Sequence, residues 1–320
     1  MTAPFATDIT LIQSPGAVHA VPSLSVLVPY YHDDPSALMQ DLQSQMSPDV
    51  ELIFYDDGTG DAALNARLGE IVQKSAEAIT LMIADKNKGR SEARNALQKT
   101  ARADWILFLD ADMRPGSDSF LTRYKAAITK GDSDIIFGGF TVSDRAERAE
   151  QELHRALSHI SDCLPLAERK AAGAQFVASS NLCVRKAVLT AQPFDDGFTG
   201  WGWEDSEWAA RVAKDYRLTH IDNSALHLGL ETDTTLLARF KSSAQNYIRF
   251  TDKHPELATT LSLYRLSKKL SRVPGQGLLR PIYRAAVVIR FLPMRLRVLG
   301  LKLWRASWYA SAFNAEARRA

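Results

Sequence analysis

The first half of the chain alternates short apolar runs with helical patterns, and this alternation constrains the fold more than any other feature. Repeated strand–helix alternation is typical of a mainly parallel sheet with helices on both faces, so we predict an α/β fold. Right-handed crossovers then bring the loops that follow the strands to one edge of the sheet. The predicted strands are Leu24–Val28, Glu51–Tyr55, Thr80–Ala84, Trp105–Leu109 and Asp134–Phe137, and the helices between them are Ser36–Gln45, Ala62–Ala78, Ser91–Ala101 and Ser119–Thr129.

After about residue 140 the regular alternation stops. Helical patterns continue, and one run rich in small residues reads as a further strand. The predicted helices are Ser143–Ile160, Glu204–Lys214 and Thr234–Phe250, and the predicted strand is Gln175–Val184.

The length of 320 residues suits one large α/β domain with an appendage. We predict an irregular leader at residues 1–21, an α/β domain at 22–255 and a basic helical extension at 256–320. The two cysteines, Cys163 and Cys183, form no disulfide framework and no zinc spacing, which fits a reducing compartment. The N-terminus lacks the basic start of a secretory signal, and no stretch reaches the ~18 uncharged apolar residues of a transmembrane helix. We therefore expect a cytoplasmic protein.

The net charge of +2 conceals a strong asymmetry along the chain. From Arg265 to the C-terminus there are 13 Lys and Arg residues and one acid, Glu316, whereas the remainder has 26 basic and 36 acidic residues. We interpret residues 265–320 as amphipathic helices that lie on the anionic inner face of a membrane. A helical subdomain or partner interface is the alternative. The aliphatic content disfavours nucleic acid.

Two carboxylates follow the fourth predicted strand, in Asp110-Ala111-Asp112. They lie at the carboxyl end of a buried strand, which is the edge where open α/β sheets bind ligands. Oxygen ligands there suit Mg²⁺ or Mn²⁺, which share their coordination with substrate phosphates. Alternatively, Asp110 opens a turn and Asp112 caps a helix.

Three earlier loops end at the same predicted edge. Pro29-Tyr30-Tyr31 closes the first strand with aromatic rings that can stack on a base or pack on the sheet. Asp57, before Gly58, can accept the N–H of a uracil ring or serve an ordinary turn. The segment Asn87–Asn95 places Gly89 and Arg94 at a helix N-terminus, where phosphate binds well, or on a solvated basic face. A nucleoside diphosphate would use all of these loops together.

A second constellation lies downstream, where Gly200-Trp201-Gly202-Trp203 precedes Glu204 and Asp205. Indole rings offer flat faces to a sugar, and a carboxylate at a helix start can act as general base toward a hydroxyl. The alternative is a capping cluster with buried tryptophans. His227 is a candidate third ligand beside Asp112, favoured over His220 because a glycine follows it closely.

These motifs resemble those of a known enzyme family. In order, Pro29-Tyr30-Tyr31, Asp56-Asp57-Gly58, Asn87–Asn95 and Asp110-Ala111-Asp112 resemble the family 2 glycosyltransferases of the GT-A fold, and Gly200–Asp205 with His227 is similar to the acceptor motif of galactosyltransferase-like and chondroitin-polymerase-like enzymes. The resemblance covers roughly residues 22–250.

The resemblance implies a role for each motif residue. Tyr30 would stack on the base, Asp57 would bind uracil and Asp110 the ribose, while Asp112 and His227 would hold Mn²⁺ or Mg²⁺. Asp205 would be the catalytic base, and Glu204 would bind the acceptor. Two departures stand out: Tyr30 follows Pro29 directly, so Tyr31 could take the stacking role, and Trp203 replaces a common second glycine. The implied nucleotide-binding residues are Pro29, Tyr30, Tyr31, Asp57, Asn87, Gly89, Arg94, Asp110 and Ala111, and the implied acceptor-binding residues are Trp201, Gly202 and Trp203.

The function expected from the resemblance is inverting transfer of a hexose or N-acetylhexosamine from a UDP-sugar to a saccharide or lipid-linked acceptor, in surface polysaccharide synthesis. A nucleotidyltransferase shares the metal chemistry but does not need the Gly-Trp-Gly-Trp-Glu-Asp segment. A nucleotide-sugar-binding scaffold without turnover is the third reading, and the intact carboxylates argue against it.

Overall fold

The computed structural model describes residues 8–318 and confirms the α/β prediction. Its strands are β1 (Ile9–Gln13), β2 (Leu24–Tyr30), β3 (Val50–Asp56), β4 (Ile79–Ala84), β5 (Trp105–Leu109), β6 (Met113–Pro115), β7 (Ile135–Phe137), β8 (Phe140–Val142), β9 (Asn181–Arg185), β10 (Leu218–His220) and β11 (Ala225–His227). Its α-helices are α1 (Pro15–His19), α2 (Ser36–Gln43), α3 (Ala62–Lys74), α4 (Arg90–Thr100), α5 (Phe120–Lys130), α6 (Glu152–Ser161), α7 (Leu166–Ala172), α8 (Lys186–Ala191), α9 (Glu204–Val212), α10 (Asp233–Ser242), α11 (Ala244–Lys253), α12 (Pro255–Thr260), α13 (Ser262–Ser271), α14 (Gln276–Val288) and α15 (Met294–Glu316).

Within the described residues, two compact units can be distinguished. The first contains residues 8–141, 165–196 and 211–229, and the second contains 142–164, 197–210 and 230–318. The sequence-based boundary at residue 255 therefore does not coincide with a unit boundary. The reason is that the helices after residue 255 pack on helices that come before it.

The first unit is built on an eight-stranded sheet, counted over residues 8–318, with the order β1-β4-β3-β2-β5-β9-β7-β10. Strands β4, β3, β2 and β5 are parallel neighbours, as the strand–helix alternation predicts. β9 runs antiparallel between β5 and β7, so the sheet is mixed but mostly parallel. The central strands are apolar because both of their faces are covered. All residues of β3 and β5 are buried.

A short antiparallel ladder lies beyond the end of β5. β6 pairs with β11, with Met113 opposite His227 and Pro115 opposite Ala225. The sequence analysis did not predict either strand, because each has only three residues and no readable alternation. This ladder matters for the site because it joins the chain after Asp112 to the chain that carries His227.

Part of the predicted leader is regular structure. β1 pairs antiparallel with β4 from Ile9 opposite Ala84 to Gln13 opposite Thr80, and α1 follows. The irregular leader expected over residues 1–21 is thus wrong for these segments, because edge pairing stabilises a strand that its short apolar pattern did not predict. The remainder of that expectation, residues 1–7, lies outside the described residues.

The second unit is helical, and α15 is its longest helix. α15 packs against α6, α10, α11, α13 and α14. Its buried positions join two apolar clusters, one around Leu301 and Trp304 and the other around Tyr247 and Tyr309. The predicted helix over residues 234–250 is two helices, which meet at the buried Ser243. Among the described helices, none has the length and apolarity needed to cross a bilayer.

Candidate active site

The carboxyl ends of β2 to β5 carry the predicted nucleotide-binding loops, all within the first unit. Asp57 is held by three hydrogen bonds in one of these loops. Its carboxylate accepts hydrogen bonds from the backbone N–H groups of Lys88 and Gly89, at 2.9 and 3.0 Å, and from Nδ2 of Asn87 at 2.9 Å. The structure thereby brings Asp57, Asn87 and Gly89 together. Asp57 fixes the loop that precedes α4, and a uracil contact by this carboxylate stays a prediction.

Burial is the main influence on the Asp57 carboxyl. It raises the pKa to about 6, although the two backbone N–H donors oppose the shift. Gly89, the residue that caps α4, has φ of +93°, a left-handed conformation that favours glycine. A Cβ built on Gly89 meets no atom within 4 Å, so the backbone conformation, and not crowding, is what favours glycine here.

Asp56 stabilises its own loop, a role that the sequence analysis did not predict. It is fully buried and accepts hydrogen bonds from the Thr59 backbone N–H at 2.8 Å and from Asn65 Nδ2 at 2.7 Å. The Asp-Asp-Gly-Thr pattern is the signal that could have revealed it, because an aspartate side chain commonly accepts from its own turn.

The two loop tyrosines have opposite environments. Tyr30 is buried in the core, and its hydroxyl donates to Asn65 Oδ1 at 3.1 Å. The expectation that Tyr30 stacks on a base is therefore wrong, because its ring is packed in the core and its hydroxyl is bonded to Asn65. Tyr31 is exposed, with its ring centroid 3.9 Å from that of His32. Tyr31 is thus the tyrosine that can present a ring, and Pro29 lies within β2, one residue before its end.

Asp110 lies between two arginines of α4. Arg94 donates to its Oδ1 at 2.8 Å, and Arg90 donates to its Oδ2 at 3.2 Å. Burial by itself raises the pKa of Asp110, but the two guanidinium groups outweigh it and hold that pKa below its ordinary value. Asp110 is therefore a carboxylate at neutral pH.

Arg94 is 1% exposed and also lies over the Phe194 ring at 5.8 Å. Its predicted contact with a diphosphate does not fit this burial, because the guanidinium is enclosed and paired with Asp110. Ala111 is buried in the core cluster, so its side chain is not a contact for a nucleotide either. Arg94 holds the Asp110 carboxylate in place.

Asp112 and His227 meet as the sequence predicts. Asp112 Oδ2 lies 3.1 Å from His227 Nε2, and the Leu228 backbone N–H donates to the Asp112 carbonyl at 2.9 Å. The β6–β11 ladder produces this contact. A Cβ added to Gly229 would overlap the Asp112 carboxylate, so the close approach requires glycine.

The ligand atoms of this pair fit a divalent cation whose remaining ligands come from a bound substrate or from water. One carboxylate and one imidazole suit Mn²⁺, and Mg²⁺ is commonly held by one or two carboxylates plus substrate phosphates. Both side chains are partly exposed. Over the described residues, no group of three or more His, Cys, Asp or Glu side chains forms a complete metal site. His220, the competing histidine, is buried, and its Nε2 lies 2.8 Å from the Gly173 carbonyl, so it is a core residue.

The Gly-Trp-Gly-Trp segment belongs to the second unit and has an unusual backbone. Gly200 and Gly202 have φ of +73° and +88°, and Trp203 has +79°. Asn246 Nδ2 donates to the Thr199 and Gly202 carbonyls, at 2.9 Å each, and so fixes the turn. A tryptophan adopts positive φ at a steric cost, which the packing of its ring offsets.

The Trp203 ring is committed to the helical core rather than open as a sugar platform. Its centroid lies 4.5 Å from that of Tyr247 and 4.9 Å from that of Phe250, and its Nε1–H donates to Tyr309 Oη at 3.0 Å. Trp201 is half-buried and packs edge-on against Phe240 at 5.5 Å. The sugar-binding role predicted for Trp203 is therefore replaced by packing, and that of Trp201 stays a prediction.

The acids that follow open α9. Glu204 is buried and Asp205 is partly exposed, both in the first turn. Glu207, which the sequence analysis did not select, is buried in the same first turn, with Lys253 Nζ and His254 Nε2 each 3.4 Å from its Oε1. Glu207 could have been predicted from its spacing, because residues three apart on a helix lie on the same face.

The sequence itself matches a family model. Residues 25–189, about half of the chain, match the model described as glycosyl transferase family 2. The chain belongs to this family. The match ends before Gly200, so the family assignment rests on residues 25–189, most of which belong to the first unit.

Solved structures of other glycosyltransferases share the fold of this chain. The mannosyltransferase PcManGT from Pyrobaculum calidifontis, in complex with GDP-Man and Mn²⁺, superposes with a TM-score of 0.60 at 15% identity, over 90% of this chain and 86% of that one. S. aureus TarS 1–349, in complex with UDP-GlcNAc, superposes with a TM-score of 0.52 at 15% identity, over 92% of each chain. At such identities the likeness establishes the GT-A-type fold.

Curated relatives match over a shorter segment. The uncharacterized glycosyltransferase EpsJ of Bacillus subtilis is 34% identical over 124 residues, which are 38% of this chain and 34% of that protein. The poly(ribitol-phosphate) beta-glucosyltransferase of Bacillus spizizenii is 29% identical over 119 residues, which are 36% of this chain and 18% of that protein. The matched segment thus spans about a third or less of these relatives.

Proposed function

We propose that this chain is an inverting, metal-dependent glycosyltransferase that moves a hexose or N-acetylhexosamine from a UDP-sugar to a saccharide or lipid-linked acceptor. The Asp112–His227 pair is the observation that carries the proposal. It lies beyond the carboxyl end of β5, where a bound diphosphate would meet it. Family membership and the GT-A-type fold support the same reaction class.

The nucleotide half of the proposal assigns separate tasks to the first unit. The paired arginines keep Asp110 charged, so it can accept hydrogen bonds from ribose hydroxyls. Tyr31 offers the exposed ring for the base. Asp112 and His227 would hold Mn²⁺ or Mg²⁺, which when bound would neutralise the charge that develops on the leaving diphosphate.

The transfer step itself needs one base. Asp205 would take the proton of the acceptor hydroxyl as its oxygen bonds to the anomeric carbon. The bond from that carbon to the diphosphate oxygen breaks, and UDP leaves with the electron pair. One displacement of this kind inverts the anomeric centre. Glu204, at the start of the same helix, would bind the acceptor.

The names of similar proteins support an acceptor on the cell surface. One curated relative is a poly(ribitol-phosphate) beta-glucosyltransferase. TarS was solved with UDP-GlcNAc and PcManGT with GDP-Man, which supports a nucleotide-sugar donor and makes the base the first property to measure. We further propose that the protein works at the inner face of a membrane, to which residues 265–320 attach it.

A donor screen tests the enzymatic proposal. The purified chain is incubated with Mn²⁺ and each of several UDP- and GDP-sugars, and release of the nucleoside diphosphate is measured with and without oligosaccharide acceptors. We expect release with a UDP-sugar and a loss of about 100- to 1,000-fold in Asp112→Asn, because a group that stabilises leaving-group charge is removed.

Asp118→Asn, which changes an exposed aspartate nearby in sequence, is the matched control and should keep full activity. Formation of UTP and a sugar 1-phosphate when pyrophosphate is added to the UDP-sugar, in place of UDP release, would identify a nucleotidyltransferase. Nucleotide binding without turnover of any donor would instead support a scaffold.

A further inference from the structure

Helix α14 and the turn after it expose large apolar side chains to solvent. Leu278 and Ile282, one turn apart on α14, are 82% and 62% exposed, and Phe291 in the following turn is 87% exposed. Residues four apart lie on one face of a helix. Exposed apolar side chains that cluster in this way are typical of an interaction surface.

A groove of about 510 Å³ lies beside this face, within the second unit. The walls of the groove are mostly apolar, with two indoles on the α15 side. Its lining includes Pro281, Ala285, Val288, Ile289, Trp304 and Trp308. A hydrocarbon chain suits such a lining, because it brings no polar group that would need a partner.

The charged residues of the groove are all cationic. Arg280 and Arg284 line it together with the apolar residues, and its lining contains no Asp or Glu. The Arg280 guanidinium lies 3.6 Å from the Trp308 ring centroid and donates to the Ser307 carbonyl at 3.0 Å. The sequence from 257 to 315 contains no acid at all. An anionic partner therefore complements this surface.

Other arginines of the tail already have acidic partners within the second unit. Arg297 is buried and donates to Asp233 at 2.6 Å, while Arg290 pairs with Glu150 at 2.8 Å. Fewer basic side chains of residues 265–320 therefore remain for an anionic partner than the composition of this segment suggests. Arg284 and Arg295 are exposed and lie near the apolar side chains in sequence, whereas Arg290, which is also exposed and next to Phe291, is paired with Glu150.

We propose that α14 and the α14–α15 turn form a docking surface for a bilayer that contains anionic phospholipid. Leu278, Ile282 and Phe291 enter the acyl region, and the groove receives part of a lipid chain. Arg284 and Arg295 contact the phosphates. Apolar insertion combined with basic residues is the general requirement for such interfacial binding. This inference rests on the proposed membrane association and localises it to one helix and its turn.

Vesicle flotation tests the proposal with the full chain. Vesicles of phosphatidylcholine alone are compared with vesicles that contain phosphatidylglycerol as well. We expect binding to the anionic vesicles, with about a 10-fold loss of affinity for Ile282→Ser and a larger loss for the triple serine variant of Leu278, Ile282 and Phe291. Ile160→Ser is the matched control, because Ile160 lies in the same unit and is 58% exposed, and it should bind like the wild type.

The arginines have their own comparison. Arg284→Gln and Arg295→Gln should each weaken binding about fivefold at low salt, since one basic residue near an anionic surface contributes about 1 kcal/mol. Arg145→Gln, which removes an exposed arginine from the segment 142–164, should change the affinity no more than the loss of any distant charge does. Thermal unfolding of each variant checks that it has folded.

Three outcomes would overturn the inference in distinguishable ways. If the wild type ignores anionic vesicles, membrane association as a whole is wrong. If it binds but the α14 variants bind equally well, another part of residues 265–320 is the attachment. If light scattering shows a wild-type dimer that the triple variant dissociates, the surface binds a second copy of the chain. UDP-dependent thermal stabilisation tests the nucleotide site independently of all three.

Discussion

The carboxyl edge of the sheet and the start of α9 both present carboxylates, yet they hold them by different means. At the sheet edge, charged and polar groups hold one another. Asp57 is hydrogen-bonded to the loop before α4, and Asp110 is paired with Arg90 and Arg94. At α9, the acids follow a turn whose Trp203 packs among aromatic rings. Position therefore depends on electrostatics in the first region and on packing in the second. The four predictions below test this difference.

Asp205→Asn tests whether the α9 region supplies chemistry and has the largest expected effect. Loss of a general base lowers kcat by about 10²- to 10⁴-fold. The proposed donor site is in the first unit, so stabilisation by UDP and Mn²⁺ should stay at the wild-type level in a thermal unfolding assay. If turnover in Asp205→Asn equals that of the wild type, the α9 region has no catalytic role.

Arg94→Met tests the electrostatic support of the sheet edge. It removes a buried guanidinium from Asp110 and leaves the carboxylate with weaker compensation, so the free energy of unfolding should fall by about 3–5 kcal/mol in urea titrations. Arg90 is the matched comparison, because its side chain is 38% exposed. We expect Arg90→Met to cost less than about 1 kcal/mol. Equal costs would show that burial does not govern this pair of contacts.

The pH dependence of stability tests the burial of Asp57. Its pKa is raised from 3.8 to about 6, so the folded state binds a proton more tightly than the unfolded state. The favourable contribution of the protonated group is complete below about pH 4 and is lost as the pH rises through 6, a change of about 3 kcal/mol. The stability of wild type relative to Asp57→Asn should fall over this range in urea titrations. A pH-independent difference would contradict the shift.

Tyr309→Phe tests the packed region and has the smallest expected effect. Tyr309 Oη accepts hydrogen bonds from Trp203 Nε1 and Arg305 Nε, both at 3.0 Å, so its removal leaves two donors without their acceptor. We expect a loss of about 1–3 kcal/mol in unfolding free energy. Tyr264→Phe in the same unit, whose ring edge packs on Phe313, should change it by less than about 0.5 kcal/mol. If Tyr264→Phe lost as much unfolding free energy as Tyr309→Phe, the hydrogen bonds of Tyr309 would not be the cause.

The sequence predicted the elements whose periodicity is strong and failed where tertiary contacts decide. β5 was predicted to the residue, and the parallel order of β2 to β5 follows from alternation. β1, β6 and β11 escaped prediction because they are short and depend on pairing with distant partners. The helices after residue 255 were expected as a separate extension, whereas they share a core with α10 and α11.

Site residues divide in the same way. Asp112 and His227 were expected together because carboxylate and imidazole are both ligands of Mn²⁺ and the family resemblance pairs them, and the structure brings the two side chains into contact. Burial could not be predicted residue by residue: Tyr30 is the last residue of β2 and lies in the core, whereas Tyr31, just past the end of the strand, is exposed. The same limit applies to Arg94, whose position one turn into α4 places it inside.

The β6–β11 ladder has a consequence for the order in which the chain folds. It brings together Asp112 and His227, which are 115 residues apart in sequence. Contacts of such separation require the closure of a long loop, and topologies rich in them fold slowly. We therefore expect the ladder to form late, after β5 and β9 have paired. A cation held by this pair would then bind only to the completed first unit and report the end of its folding.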